Sequence, residues 1–268
     1  MRLQGLTIGI TADRRWQEQA DLFEKRGAAV LHGPTMKTVD LSHDAALADL
    51  THRLIAQPPD YLIATTGMGM RWWLAAADSW GTASDLRTAL GRARVIARGA
   101  KSASAVRAAG LDVWWQAPTE RMDDIVAHLA ATGVGGARVA LQLFDPAGHP
   151  STAAIAALAG ELIAVPVYRW LLPDDPQPAL RLIDATIDRT LAAVTFTSQP
   201  AVYQLFEIAG AKAESLRAAL NDDVLAACVG PVCAEAARDE GLTAPVWPEP
   251  PRLVALVKLV TERLSGAA

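Results

Sequence analysis

Cysteine is nearly missing from this chain: Cys228 and Cys233 are the only two in 268 residues. Five apart and forming no CxxC pair, they supply no disulfide framework, and a reducing compartment is expected. The histidines, His32, His43, His52, His128 and His149, are scattered without ligand spacing, so no metal site is expected. No apolar run approaches the ~18 residues that a membrane-crossing helix needs, which excludes a spanning segment. An excess of basic charge is also missing, with 25 Lys and Arg against 29 Asp and Glu. The net charge of −4 argues against a nucleic-acid binder that works by neutralising phosphates. It leaves anionic small molecules open, because a local nest of amides can hold a carboxylate inside an acidic protein. The run of residues 6–11 behind Met1-Arg2 is short for a signal peptide, and Asp13-Arg14-Arg15 replaces a small-residue cleavage site. A cytoplasmic protein is expected.

What the chain does have is regular punctuation. With 51% apolar and 20% charged residues it has the composition of a folded domain, and its length allows two modest α/β lobes. Short apolar runs at 6–11, 28–31, 61–66, 95–98, 113–115, 138–144, 193–197 and 224–229 predict strands. Between them, helices are predicted at 15–26, from Ser42 to 56, at 70–80, 99–109, from Thr119 to 131, from Pro150, up to about 189, at 199–209 and at 215–220. Leu253, Leu256, Val257, Val260 and Leu264 recur with a period of 3.6 and mark a last helix. Residues 36–41 and 161–170 read as extended. Strands alternating with helices of this length mean parallel, wound sheets.

One unit recurs. Residues 224–229 form a buried strand that breaks at Gly230-Pro231 into a helix stopping at Gly241. Moved back 131 residues, Gly230, Ala234, Ala236, Arg238, Gly241 and Leu242 fall on Gly99, Ala103, Ala105, Arg107, Gly110 and Leu111. Two similar lobes are therefore expected. The strands after residue 184 are too few for a lobe of their own, and the two N-terminal strands would complete it. The predicted fold class is α/β: two similar doubly wound parallel-sheet lobes, flavodoxin-like, the second inserted into the first and joined to it by a two-stranded hinge. The expected division places residues 1–36 and 170–268 in one lobe and 37–169 in the other.

Four turns follow predicted strand ends: Thr65-Thr66-Gly67, Gly99-Ala100-Lys101-Ser102, Thr197-Ser198-Gln199 and Gly230-Pro231-Val232. Such turns aim helix-opening N–H groups beyond the sheet edge, which favours carboxylates. Arg14, Arg15 and Lys101 are candidates to pair with the same groups. Cys233 has no evident base partner, which reads as a small packing residue. Trp72-Trp73 and Trp114-Trp115 read as core and lobe surface.

The ordered set resembles the uroporphyrinogen-III synthase family. The resemblance lies in Val194-Thr-Phe-Thr-Ser198 with Ala201-Val202, Val229-Gly-Pro231 with Ala234-Glu-Ala236 and Glu240-Gly-Leu242, and Pro166-Val-Tyr-Arg169. It continues in Ala64-Thr-Thr-Gly-Met-Gly69 and Ala97-Arg-Gly-Ala-Lys101 with Ala109-Gly-Leu111. The resemblance implies a bilobed enzyme that closes hydroxymethylbilane, a linear octacarboxylate tetrapyrrole, with inversion of the last ring and loss of water. It implies no cofactor, a small-molecule substrate as the only partner, no nucleic acid, and a monomer. Tyr168 falls on the family's recurrent tyrosine, whose hydroxyl would help the substrate's hydroxyl depart. Val232 and Cys233 stand where the family often has threonines. Two other classes compete: a bilobed tetrapyrrole-binding sensor without turnover, and a two-lobed solute-binding protein of the transport type, which the lack of a secretion signal disfavours.

Overall fold

The computed structural model describes residues 2–144 and 149–266. The chain forms two compact units, one made of the residues up to Thr38 and from Leu171 onwards, the other of Val39–Trp170. The first unit opens with β1 (Thr7–Ile10), α1 (Trp16–Glu24) and β2 (Ala29–His32). β3 (Lys37–Asp40) carries the chain onward into α2 (Ala45–Ala56), β4 (Tyr61–Ala64), α3 (Gly67–Ser79), α4 (Ala83–Leu90) and β5 (Arg94–Ala97). Then come α5 (Ala100–Ala108), β6 (Val113–Gln116), α6 (Met122–Thr132), β7 (Arg138–Gln142), α7 (Pro150–Leu158) and β8 (Glu161–Val165). β9 (Tyr168–Leu171) pairs with β3 in a separate two-stranded sheet and leads back. The first unit is completed by α8 (Gln177–Ile187), β10 (Ala193–Phe196), α9 (Gln199–Ala209), α10 (Ala213–Asp222), β11 (Leu225–Cys228), α11 (Pro231–Asp239) and α12 (Leu253–Ser265).

Both sheets are parallel. The second unit's strands run β6-β5-β4-β7-β8, and the first unit's run β11-β10-β1-β2. Val246 bridges Ala227 in parallel, which adds a fifth position outside β11. In chain order the first unit is thus 2-1-3-4-5, the flavodoxin arrangement. Counted from β10 instead, it becomes 3-2-1-4-5, which is also the second unit's order counted from β4. The two units are circular permutants of one strand order. That accounts for the 131-residue echo: β5 with α5 and β11 with α11 both occupy the second position.

Helices cover both faces of each sheet, so the central strands are largely buried, and Leu62, Ile63 and Ala64 of β4 are fully enclosed. One face of the second unit packs Leu47, Leu54, Trp73, Leu86 and Val106 against Leu62. The other packs Ile125, Leu129 and Ile155 against Ile63 and Ile96. In the first unit, α8 to α11 cover one face around Phe196, and Phe23 with Leu256 and Val260 cover the other. Each such side chain contributes roughly 1.5–3 kcal/mol on leaving water. Among the described residues, no helix is long and apolar enough to cross a membrane.

Several predicted ends move. Asp44, not Ser42, caps α2: its Oδ1 accepts the Ala46 N–H at 2.9 Å, after a turn in which Asp44 N–H reaches the Leu41 carbonyl. Thr119 does not cap α6 either. Its N–H and hydroxyl both donate to Asp124 Oδ2, at 2.8 and 2.6 Å, and the helix starts at Met122. The extended run 161–170 is two strands interrupted at Pro166, which has no N–H to give a ladder. α4 lies in a stretch for which the sequence predicts no helix; its Ala83, Leu86 and Leu90 are buried.

Candidate functional site

In the second unit the order of strand winding reverses at β4, with β5 and β6 on one side and β7 and β8 on the other. Ligands of wound α/β sheets bind outside the strand ends at such a switch point. Thr65, Thr66 and Gly67 occupy it. The Thr65 hydroxyl donates to the Gln142 carbonyl at 2.6 Å, and Thr66 N–H donates to Gln142 Oε1 at 3.0 Å. Thr66 also caps α3, its Oγ1 accepting Gly69 N–H at 3.1 Å. Gln142 is fully buried at the end of β7 and stitches both sides of the switch together. A Cβ on Gly67 would run into the Lys101 carbonyl, so only glycine lets this turn meet the next one.

That next turn follows β5. Gly99 starts α5, and Ser102 turns back to it, accepting the Gly99 N–H at 3.0 Å and donating to its carbonyl at 2.9 Å. Ser102 is buried in this cap, whereas the Lys101 and Ala100 side chains face solvent. The Ala100 N–H is taken by the protein's own acid, Glu120 Oε1, at 3.0 Å. Glu120 makes this contact from left-handed backbone (φ 61°). Tyr168, 6% exposed on β9, brings its hydroxyl to 3.4 Å from Thr66 Oγ1 and packs edge-on against Trp72. Arg98, the residue before Gly99, lies over the Phe144 ring at 4.7 Å. Burial pulls its pKa below the usual arginine range, while Tyr168 and Glu120 act in the opposite sense.

The first unit repeats the plan. The turn after β10, Thr197-Ser198-Gln199, opens α9, and Gly230-Pro231-Val232 after β11 opens α11. The Cys233 thiol ties them, donating to the Ser198 carbonyl at 3.4 Å. A hydrogen bond with Cys228 that favours the protonated thiol, together with burial, holds it well above its usual pKa. Ser198 Oγ faces Met36 Sδ at 3.6 Å, and Gln199 Nε2 reaches the Tyr203 hydroxyl at 3.4 Å. Thr197 is half-buried and Val232 36% exposed. At this unit's switch, between β10 and β1, Gln19 donates to Thr195 Oγ1 at 2.8 Å, a counterpart to Gln142. Arg14 is exposed. Arg15, its side chain 71% exposed, pairs with Glu18. His32 stacks on Trp16 at 4.0 Å, and burial lowers its pKa. Among the described residues, no group of His, Cys, Asp and Glu is placed to hold a metal.

Paired strand-end turns on two permuted sheets have a counterpart among known proteins. The family model described as uroporphyrinogen-III synthase HemD matches residues 17–258. The chain belongs to the uroporphyrinogen-III synthase family. A crystal structure of a mutant uroporphyrinogen III synthase from the extremely thermophilic bacterium Thermus thermophilus superposes with a TM-score of 0.83 at 30% identity, covering 98% of this chain and all of that one. The uroporphyrinogen-III synthetase of Helicobacter pylori, 13% identical with a TM-score of 0.54 over 96% of this chain and 99% of that one, shares the fold. A Methanothermobacter thermautotrophicus protein named "Putative uroporphyrinogen-III synthase" is 29% identical, covering 88% of this chain and 89% of its own.

Within this synthase-family chain, the structure gathers Thr65, Thr66, Gly67, Gly99, Ala100 and Tyr168 around one sheet edge. Thr197, Ser198, Gln199, Gly230, Pro231 and Val232 lie at the corresponding edge of the other unit. Arg15 is engaged elsewhere by Glu18. The sequence alone does not single out Arg98, Glu120 or Gln142. An arginine closing a buried strand just before a glycine, and a lone amide inside an apolar run, are the available signals.

Proposed function

We propose that this chain is a cytoplasmic uroporphyrinogen-III synthase, a hydro-lyase that closes hydroxymethylbilane to uroporphyrinogen III with inversion of the last ring. The observation that carries this reading is the Tyr168 hydroxyl 3.4 Å from Thr66 Oγ1, at the strand end where the β4 and β5 turns meet. A proton donor there can release the substrate's hydroxyl as water, a form of general-acid help typically worth about 10²–10⁴-fold in rate. The amides that open helices after Gly67, Gly99, Ser198 and Gly230, with Thr66 and Thr197, take the carboxylates, while Thr65 fixes its turn through Gln142. Arg14, Lys101 and Gln199 add reach around them. The chemical task is conformational, because the flexible substrate closes unaided without inversion. Holding its ends in the inverting geometry supplies several kcal/mol, with effective molarities of ~10⁵ M and above in favourable cases. The reaction requires no cofactor and the enzyme works as a monomer.

Val232 and the buried Cys233, in place of hydroxyl side chains, favour a second reading in which the chain binds a tetrapyrrole without turning it over. One assay separates the two. Purified protein given freshly made hydroxymethylbilane should yield mainly the type III isomer, against type I from a no-protein control. Type I at the control rate, with the macrocycle still bound, would leave the sensor and remove the enzyme.

A further inference from the structure

Arg98 is a half-buried charged side chain that forms no ion pair among the described residues. Its backbone N–H donates to the Ala64 carbonyl at 2.9 Å, so the sheet fixes its main chain and only the side chain is left to aim. The guanidinium is half-buried over Phe144, whose carbonyl accepts Trp170 Nε1 at 3.2 Å and whose ring lies 5.2 Å from that of His149. Among the described residues, this guanidinium enters no ion pair and no hydrogen bond. An aromatic face offsets part of the cost of drying a guanidinium, but its five N–H donors still call for acceptors. The neighbouring acid, Glu120, turns its carboxylate to Ala100 N–H and lies against Gly99, where a Cβ would come within 2.8 Å of its Cδ. A carboxylate therefore already rests on the first amide of α5, near a guanidinium fork that no acceptor among the described residues engages.

We propose that Arg98 binds a substrate carboxylate in the second unit, and that Glu120 is the internal acid with which that carboxylate competes for the start of α5. A planar guanidinium fork matches a carboxylate two-pronged, whereas a lysine offers only a point charge. Arg98 would then select for polycarboxylate substrates by side-chain charge, in addition to the backbone amides. This inference rests on the functional reading above.

The test titrates uroporphyrin III, the oxidised octacarboxylate product, against the full chain by quenching of tryptophan fluorescence. Isomer assays and melting temperatures are run in parallel. Arg98→Gln should weaken binding roughly 10- to 100-fold, the range of a charge-assisted hydrogen bond. Arg98→Lys should recover part of the loss. Glu120→Gln, which keeps an acceptor for Ala100 but removes the competing charge, should tighten binding roughly two- to fivefold. Opposite signs for the two Gln variants are the signature. Unchanged affinity in Arg98→Gln, or both variants shifting the same way, overturns the proposal while a wild type that binds and makes type III leaves the functional reading standing. A lowered melting temperature at wild-type affinity would make Arg98 a packing residue over Phe144. A wild type that neither binds uroporphyrin nor makes type III removes the functional reading, and Arg98's role falls with it.

Discussion

At the scale of single residues, one hydroxyl carries most of the proposed chemistry. Tyr168 is enclosed, its ring edge-on to Trp72 at 6.2 Å, so Tyr168→Phe keeps the packing while it removes the proton and the contact with Thr66. Turnover should fall roughly 10- to 1000-fold with KM little changed, because the lost interaction belongs to the departing hydroxyl. Initial rates on hydroxymethylbilane measure it, and a wild-type rate in the variant would leave Tyr168 as packing in β9. Tyr168 was legible in the sequence because it sits within a recognisable run. Arg98 and Gln142 were not, because a polar residue at a strand end looks like punctuation until its surroundings are known. Only the fold reveals that Gln142 holds both threonines of the neighbouring strand's turn, 77 and 76 residues away in the chain. The sequence showed that Ser102 carries a hydroxyl, but not that Gly99 already engages it from both sides.

At the scale of elements, the strand–turn–helix unit is the functional part. Gly230 has extended backbone that any residue can adopt, but a Cβ there would stand 2.8 Å from Pro251 Cβ. Gly230→Val must therefore push the turn off its place and misdirect the amides of α11, whereas Lys101→Ala trims an exposed side chain. We expect Gly230→Val to cost far more uroporphyrin affinity than Lys101→Ala, measured on variants shown by circular dichroism to be folded. The reverse order would mean that side-chain charge, not the amides of the turns, dominates binding. The existence and type of most elements were legible, since apolar runs closed by glycine leave few alternatives. Their ends were not, wherever two capping-competent residues lie close together. Ser42 and Asp44 can both cap, and the Leu41–Asp44 turn gives the position to Asp44. At the start of α6, Asp124 captures Thr119 rather than leaving it to cap. α4 escapes notice in the sequence because its apolar stripe is only Ala83, Leu86, Ala89 and Leu90.

At the scale of the whole molecule, the governing feature is that β1 pairs with β10 across the inserted unit, Ile8 lying opposite Ala193. The 131-residue echo hinted at two lobes, yet only the strand order shows one to be a circular permutant of the other. That order has a consequence in time, during synthesis on the ribosome. Residues 61–165 contain all five strands of the second unit's wound sheet, so that sheet can close while β10 and β11 are still unmade. β1 and β2 emerge first and must wait, since two parallel strands without their neighbours make no stable sheet. A chain stopped at residue 175 should therefore resist protease across residues 45–144 and 149–165 and be cut readily within 7–32. Protection of both stretches would mean that the early strands find a temporary partner. If they wait unpaired, Leu6, Ile8, Ile10 and Leu31 form an apolar segment exposed throughout the making of the second unit, the stretch a chaperone would meet first.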